Sequence, residues 1–133
     1  MRSGVYAAEV WEYVDSIADG KKVACEDLRL ACIRFRNDCD SGKWDYSPEE
    51  ADYVITKIQT QFIHIKGEDL EGNPLKGKPL ILEPWQKFIV YGILCLYIKG
   101  TKIRKIKEAF IFIPRKNGKT LFVSALAWGL ALL

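Results

Sequence analysis

The stretch IFIPRKNGKT, residues Ile111–Thr120, runs directly into an apolar segment that continues from Leu121 to Leu133. Its first three residues have the continuous hydrophobicity of a strand inside a parallel sheet. A polar turn ending in Gly-Lys-Thr follows, and the apolar segment after it predicts a helix. A buried strand, a polar turn and a helix, in that order, are typical of a phosphate-binding loop. The fold class predicted from this stretch is α/β.

Three residues of the turn carry the predicted chemistry. Gly118 lets the backbone come close to phosphate oxygens. Lys119 is predicted to reach the terminal phosphates, and the Thr120 hydroxyl is predicted to ligate magnesium. The full pattern G-x-x-x-x-G-K-[ST] has another glycine at position 113, where this chain has Ile113. A basic surface turn that joins two core elements is the alternative interpretation.

The segment PRKNGKT, residues Pro114–Thr120, resembles the deviant Walker A motif of tailed-phage terminase large subunits. These are the ATPases that drive DNA into capsids, and in that family the first glycine is commonly replaced. The resemblance implies ATP and Mg²⁺ as cofactors. It implies that one loop binds ATP through consecutive residues, namely Arg115, Lys116, Asn117, Gly118, Lys119 and Thr120.

Two residues of this loop, Lys119 and Arg115, are catalytic if the resemblance holds. Arg115 would act on the γ-phosphate as an arginine supplied in cis, because a guanidinium can spread its donors over the developing charge. The alternative for Arg115 is a phosphate-binding or solvated loop arginine without a catalytic role.

A second resemblance lies upstream, in LEPWQKF, residues Leu82–Phe88. It is similar to the adenine-recognition segment that precedes the P-loop in terminases and related helicase-like motors. The resemblance implies that Gln86 binds ATP through the adenine edge, since an amide offers a donor and an acceptor together. Trp85 either stacks near the base or, as the more ordinary alternative, packs the helix start into the core.

The first half of the chain is predicted to form three helices. Apolar spacing from Tyr6 to Ile17, followed by Gly20, indicates the first. A stripe of cysteine, leucine and phenylalanine indicates a second, from Glu26 to about Asp40. The segment SPEE, residues Ser47–Glu50, has an N-cap, a first-turn proline and a capping-box glutamate, and predicts a third helix through Ala51, Val54, Ile55, Ile58 and Phe62.

Cysteine spacing indicates reduced, buried thiols. Cys25, Cys32 and Cys39 recur every seven residues, so on a helix they are about 10 Å apart, too far for a disulfide. Cys95 lies in an apolar run. His64 is the only histidine, which argues against a zinc site.

A fourth helix is predicted to begin at Glu83-Pro84, with its apolar part, Phe88–Ile98, buried on nearly every side. The predicted strand is Ala109–Ile113. We therefore expect a helical N-terminal bundle over residues 1–63 and a linker or hairpin over residues 64–82. Residues 83–133 would form the beginning of a P-loop ATPase domain of terminase type, with an incomplete parallel sheet.

Charge leaves the question of DNA contact open. The formal net charge is only +3, yet a dense basic connector lies before the predicted strand. Its candidate DNA-binding residues are Lys102, Arg104, Lys105 and Lys107. The segment KIRKIK also alternates, so a half-buried strand edge with a basic outer face is equally natural.

The chain has no secretory signal, and its apolar runs are shorter than the roughly 20 residues of a spanning helix, which favours a cytoplasmic protein without a membrane role.

Together the two resemblances imply the N-terminal part of a phage or prophage terminase large subunit, which binds ATP for translocation of viral DNA in the host bacterial cytoplasm. The implied partners are double-stranded DNA, a small terminase subunit, a portal protein and further copies in a homo-oligomeric ring. The sequence has no strand ending in Asp-Glu and no nuclease carboxylate cluster, so we expect this chain to be inactive alone. The alternatives are another helicase-like P-loop motor and a non-catalytic helical interaction module with a coincidental Gly-Lys-Thr.

Overall fold

The computed structural model describes residues 2–61, 80–109 and 119–133, and for residues 119–121 it describes the backbone alone. Within these ranges the chain is α/β and mostly helical. The helices are α1 (Ala7–Ala18), α2 (Glu26–Asp40), α3 (Glu49–Gln61), α4 (Pro84–Leu94) and α5 (Lys119–Ala131). The strands are β1 (Trp44–Tyr46) and β2 (Leu96–Ile98).

The first two predicted helices are confirmed. The segment after α1 turns at Gly20, whose φ of 76° suits a residue without a Cβ. Helix α2 has the predicted bounds, and it packs on α1 through stacked rings of Trp11 and Phe35, 5.1 Å apart between centroids. The expectation of a buried Cys25 was wrong: this residue caps α2 and is exposed, since the cap lies outside the buried stripe.

Helix α3 begins at Glu49, one residue after the predicted start, and the Pro48 carbonyl accepts from the Asp52 N–H at 2.8 Å. Its predicted apolar face is confirmed by four residues that are fully buried, Ala51, Val54, Ile55 and Ile58. The last residue of that predicted face, Phe62, lies outside the described residues.

The apolar run from Phe88 to Ile98 is not one helix, so that expectation is corrected. Helix α4 ends at Leu94, and Leu96–Ile98 forms β2, which pairs antiparallel with β1 so that Trp44 faces Ile98. Neither strand was predicted. Short apolar runs fit a buried helix and a buried strand equally well, and only the partner strand decides between them.

Helices from before and after residues 62–79 pack in one core. Helix α4 contacts both α1 and α3, and α5 contacts α3. Lys87 of α4 is 6% exposed, and its Nζ lies 2.6 Å from the Glu9 Oε2 of α1. The predicted linker ends in the same core, because Leu80 and Leu82 are buried.

The parallel sheet of a P-loop domain stays a prediction. Its strand was placed at Ala109–Ile113, and all but the first of these residues lie outside the described ranges. Over the residues that the structure describes, the one sheet has two strands and is antiparallel. None of the described helices is long and apolar enough to cross a membrane.

At pH 8 we expect one of the four thiols to react quickly with Ellman's reagent and three to react only when the chain opens. Cys25 is exposed, whereas Cys32, Cys39 and Cys95 are buried. Burial raises the pKa of the Cys32 thiol to about 11, and burial with nearby carboxylates raises that of Cys39 to about 12. Cys25→Ser should therefore abolish the fast phase, and a surviving fast phase would contradict this assignment.

The raised pKa values of the buried thiols make the free energy of unfolding decrease at high pH. A thiol whose pKa is raised above its ordinary value of 9.0 by folding favours the folded state as long as it is protonated. Its contribution is fully present below pH 9.0 and is lost as the pH rises toward 11 to 12. Urea midpoints should thus fall above pH 9, and the fall should be smaller in Cys39→Ala and unchanged in Cys25→Ser.

Candidate functional site

Helix α5 begins at the lysine of Gly-Lys-Thr. The structure gives this helix as Lys119–Ala131, which agrees with the helix predicted from Thr120 onward, and the residues just before it lie outside the described ranges. Arg115, Lys116, Asn117 and Gly118 lie outside the described residues, and so do the side chains of Lys119 and Thr120. The phosphate, catalytic and magnesium roles given to these residues stay predictions.

Gln86 is the third residue of α4 and has a structural partner. It is 7% exposed, and its Oε1 accepts a hydrogen bond of 2.8 Å from the backbone N–H of Glu83. Glu83 and Gln86 together form a capping box, with Pro84 in the first turn. This box was not among the predicted features, although the E-x-x-Q spacing was a usable signal for it. Half of the Gln86 amide is therefore engaged in starting the helix.

Trp85 packs the start of α4 against the start of α5. Its Nε1–H donates to the Glu83 Oε2 at 2.8 Å, and its ring meets that of Phe122 edge-on, with centroids 5.9 Å apart. Phe122 is 1% exposed, and it follows Lys119 by three residues, which is about 4.5 Å along a helix axis. The contact with Phe122 fits the packing alternative, while Trp85 itself is half-buried and stacking near a base stays a prediction. The start of α4 and the first turn of α5 are thereby in contact.

Helix α3 supports both of these segments. The Leu82 N–H, just before α4, donates to the Gln59 Oε1 of α3 at 3.1 Å. At the other end of α5, Gly129 lies so close to α3 that an added Cβ would meet the Val54 Cγ1 at 2.7 Å. Glycine at this position therefore permits the close approach of α3 and α5.

The basic connector is held along β2. The Ile98 N–H donates to the Ile103 carbonyl at 2.8 Å, and the Lys105 N–H donates to the Leu96 carbonyl at 2.9 Å. Tyr97 and Arg104 form an isolated antiparallel bridge. The backbone of this segment thus lies along the edge of β2, as the strand-edge interpretation predicted.

Two of the four candidate DNA-binding cations are engaged within the molecule. The Lys105 Nζ lies 2.8 Å from the Asp38 Oδ2, and it lies 5.2 Å from the centre of the Trp44 ring. The Arg104 Nε lies 3.6 Å from the Glu50 Oε2. Lys102 and Lys107 are exposed. These ion pairs have no local signal in the sequence, because their partners lie on α2 and α3. DNA contact stays a prediction, and Lys102 and Lys107 are the residues best placed for it.

In the part of the chain that the structure describes, no group of three or more His, Cys, Asp or Glu side chains could hold a metal ion. No family model matches the chain, and no curated protein or solved structure matches it either.

Proposed function

We propose that this chain is the N-terminal, ATP-binding part of a terminase large subunit, the motor that packages viral DNA. One observation carries the proposal: Gly-Lys-Thr runs into a helix that begins at Lys119, and the start of α4, with Gln86, packs against the first turn of that helix through Trp85 and Phe122. A nucleotide needs its base and its phosphates recognised at neighbouring places, and two helix starts in contact offer this.

In this proposal the first turn of α5 attracts phosphate through its backbone N–H groups and the helix dipole. Lys119 neutralises the terminal phosphates and Arg115 contacts the γ-phosphate. Lys116, Asn117 and Gly118 are the remaining ATP-binding residues of the proposed loop. Thr120 supplies a hydroxyl for Mg²⁺, whose chemistry is to neutralise charge on the phosphate oxygens.

Gln86 fits adenine despite its role in the helix cap. Its Oε1 accepts from the Glu83 N–H, and a carbonyl oxygen keeps a second lone pair while the amide nitrogen keeps two donors. The amide can thus accept from the adenine amino group and donate to a ring nitrogen. Gln86 is 7% exposed, and its side chain is held by the hydrogen bond of the capping box. The orientation of its amide is therefore fixed before a base binds, which lowers the entropy lost on binding.

The partners belong to the proposal as well. They are double-stranded DNA, a small terminase subunit, a portal protein and further copies in a ring, in the host cytoplasm and without a membrane role. Hydrolysis and nuclease cleavage are proposed for the whole motor, and ATP binding for this chain. Binding to a portal or small terminase subunit encoded nearby would distinguish a terminase from another helicase-like motor.

Titration with ATP and Mg²⁺ tests the proposal. ATP at 100 times its Kd should raise the free energy of unfolding by about 2.7 kcal/mol. Lys119→Ala should lower ATP affinity by about tenfold or more, because it removes a charge-assisted contact. Lys22→Ala removes an exposed lysine between α1 and α2 and should change nothing. A wild-type chain that ATP does not stabilise, or a Lys119→Ala variant that binds equally well, would contradict ATP binding.

The same titration with GTP tests the base. Gln86→Glu keeps an oxygen acceptor for the Glu83 N–H at a helix start that favours a carboxylate, but it loses the amide donors. The preference for ATP over GTP should fall in Gln86→Glu while the unliganded melting temperature changes little. Gln86→Ala should lose both the preference and the cap. An unchanged preference in Gln86→Glu would refute adenine recognition by this residue.

A further inference from the structure

Trp85 is fixed in place from two sides. Its indole N–H is bonded to the Glu83 Oε2 at 2.8 Å, which sets the orientation of the ring on the first turn of α4. The ring edge then meets Phe122, at an interplanar angle of 62°. Phe122 is 1% exposed and Trp85 is half-buried, so the contact joins a ring of the core to a ring at its edge. An aromatic pair of this geometry contributes beyond the area it buries.

The contact lies where it can set the distance between two helix starts. Trp85 is adjacent to Gln86 on α4, and Phe122 is one turn inside α5 from Lys119. The α4 start is tied to α3 by the bond between Leu82 and Gln59, and the far end of α5 is seated on α3 at Gly129. The ring pair is a direct link between the two starts themselves.

We propose that Trp85 is a positioning residue that sets the spacing between a base-recognising α4 start and a phosphate-binding α5 start. The inference rests on the proposed function. A nucleoside triphosphate is a bivalent ligand for two such segments, so once one end is bound, the other binds at a high effective concentration only if the spacing is fixed. Trp85 acts through Phe122 in this role and need not touch the nucleotide.

Inorganic tripolyphosphate is the probe that separates the two halves, because it has the phosphates of ATP and no base. For Trp85→Leu and Phe122→Leu alike, we expect ATP affinity to fall about tenfold and tripolyphosphate affinity to stay within about twofold of wild type. The double variant should be no worse than either single one, because both remove the same contact. Trp85→Phe, which keeps a ring at this place, should bind ATP within about twofold of wild type.

Several results would overturn the inference. If Trp85→Leu loses ATP affinity and Phe122→Leu keeps it, Trp85 stacks on the base directly. If both variants lower only the melting temperature, or lower ATP and tripolyphosphate affinity equally, the pair has a general structural role. Titrations run well below each variant's melting temperature keep folded chains in the comparison. If the wild-type chain binds neither ATP nor tripolyphosphate, the proposed function itself fails, a result distinct from the first three.

Discussion

Asp52→Ala is expected to lower the free energy of unfolding by about 3 kcal/mol, since charged hydrogen bonds and stranded buried donors both contribute. Asp52, in the first turn of α3, accepts from the Val5 N–H at 2.8 Å and from the Tyr6 N–H at 3.5 Å. It also accepts from the hydroxyl of Tyr91, a residue of α4 that is fully buried. One carboxylate therefore joins the segment before α1 to α3 and α4.

The Tyr91 hydroxyl explains why the loss should be large. Burial, the hydrogen bond to Asp52 and its charge raise the pKa of Tyr91 above the usual range, so the group stays a neutral donor. Without Asp52 this donor is left in the core. Gly4 lies close over the same hydroxyl, because a Cβ there would approach the Tyr91 Oη to 2.5 Å.

Urea unfolding of a double-mutant cycle checks this account. Tyr91→Phe removes the donor, so in the Asp52→Ala background it should restore about 1 kcal/mol or more, whereas alone it should destabilise. Strict additivity of the two changes would show that the pair is uncoupled, and an Asp52→Ala loss below about 1 kcal/mol would contradict the role of Asp52 as a junction.

Gly129→Ala is expected to destabilise the chain by about 1 to 3 kcal/mol, because it over-packs the contact between α3 and α5. The added Cβ would lie 2.7 Å from the Val54 Cγ1 and 3.7 Å from the Ile58 side chain. Both residues are fully buried, so the helices must separate or the side chains must leave their preferred rotamers. Alanine has a higher helix propensity than glycine. A loss of stability in Gly129→Ala would therefore come from the packing of α5 on α3.

Gly92 is the matched control. It also lies inside a helix, α4, but a Cβ there would meet nothing within 4 Å, so Gly92→Ala should stabilise by up to about 1 kcal/mol. Val54→Ala should partly rescue Gly129→Ala, because it removes the methyl group that the new Cβ meets. Thermal unfolding of Gly129→Ala, Gly92→Ala, Val54→Ala and the Val54→Ala/Gly129→Ala double variant measures these effects. A neutral or stabilising Gly129→Ala would show that α5 is not seated on α3 in this way.

Local patterns predicted the helices well. Helices begin or run at each of the predicted signals, namely the apolar spacing of α1, the stripe of α2, the proline before α3 with the acidic residues of its first turn, and the Glu83-Pro84 start of α4. These signals act within one or two turns, so a sequence contains all that is needed to recognise them. The same reasoning failed at Leu96–Ile98, where three residues are too few to have a period and the partner strand lies about fifty positions earlier.

The candidate site divides in the same way. The chain by itself determined that Gly-Lys-Thr precedes a helix, and the spacing of Glu83 and Gln86 was a usable but unused signal of a helix cap, because both are relations between near neighbours. Only the tertiary structure decided that Trp85 meets Phe122, that Arg104 and Lys105 face Glu50 and Asp38, and that α4 completes the core of the first three helices. Such contacts join residues far apart in the sequence, and which of them form depends on how all the helices pack at once.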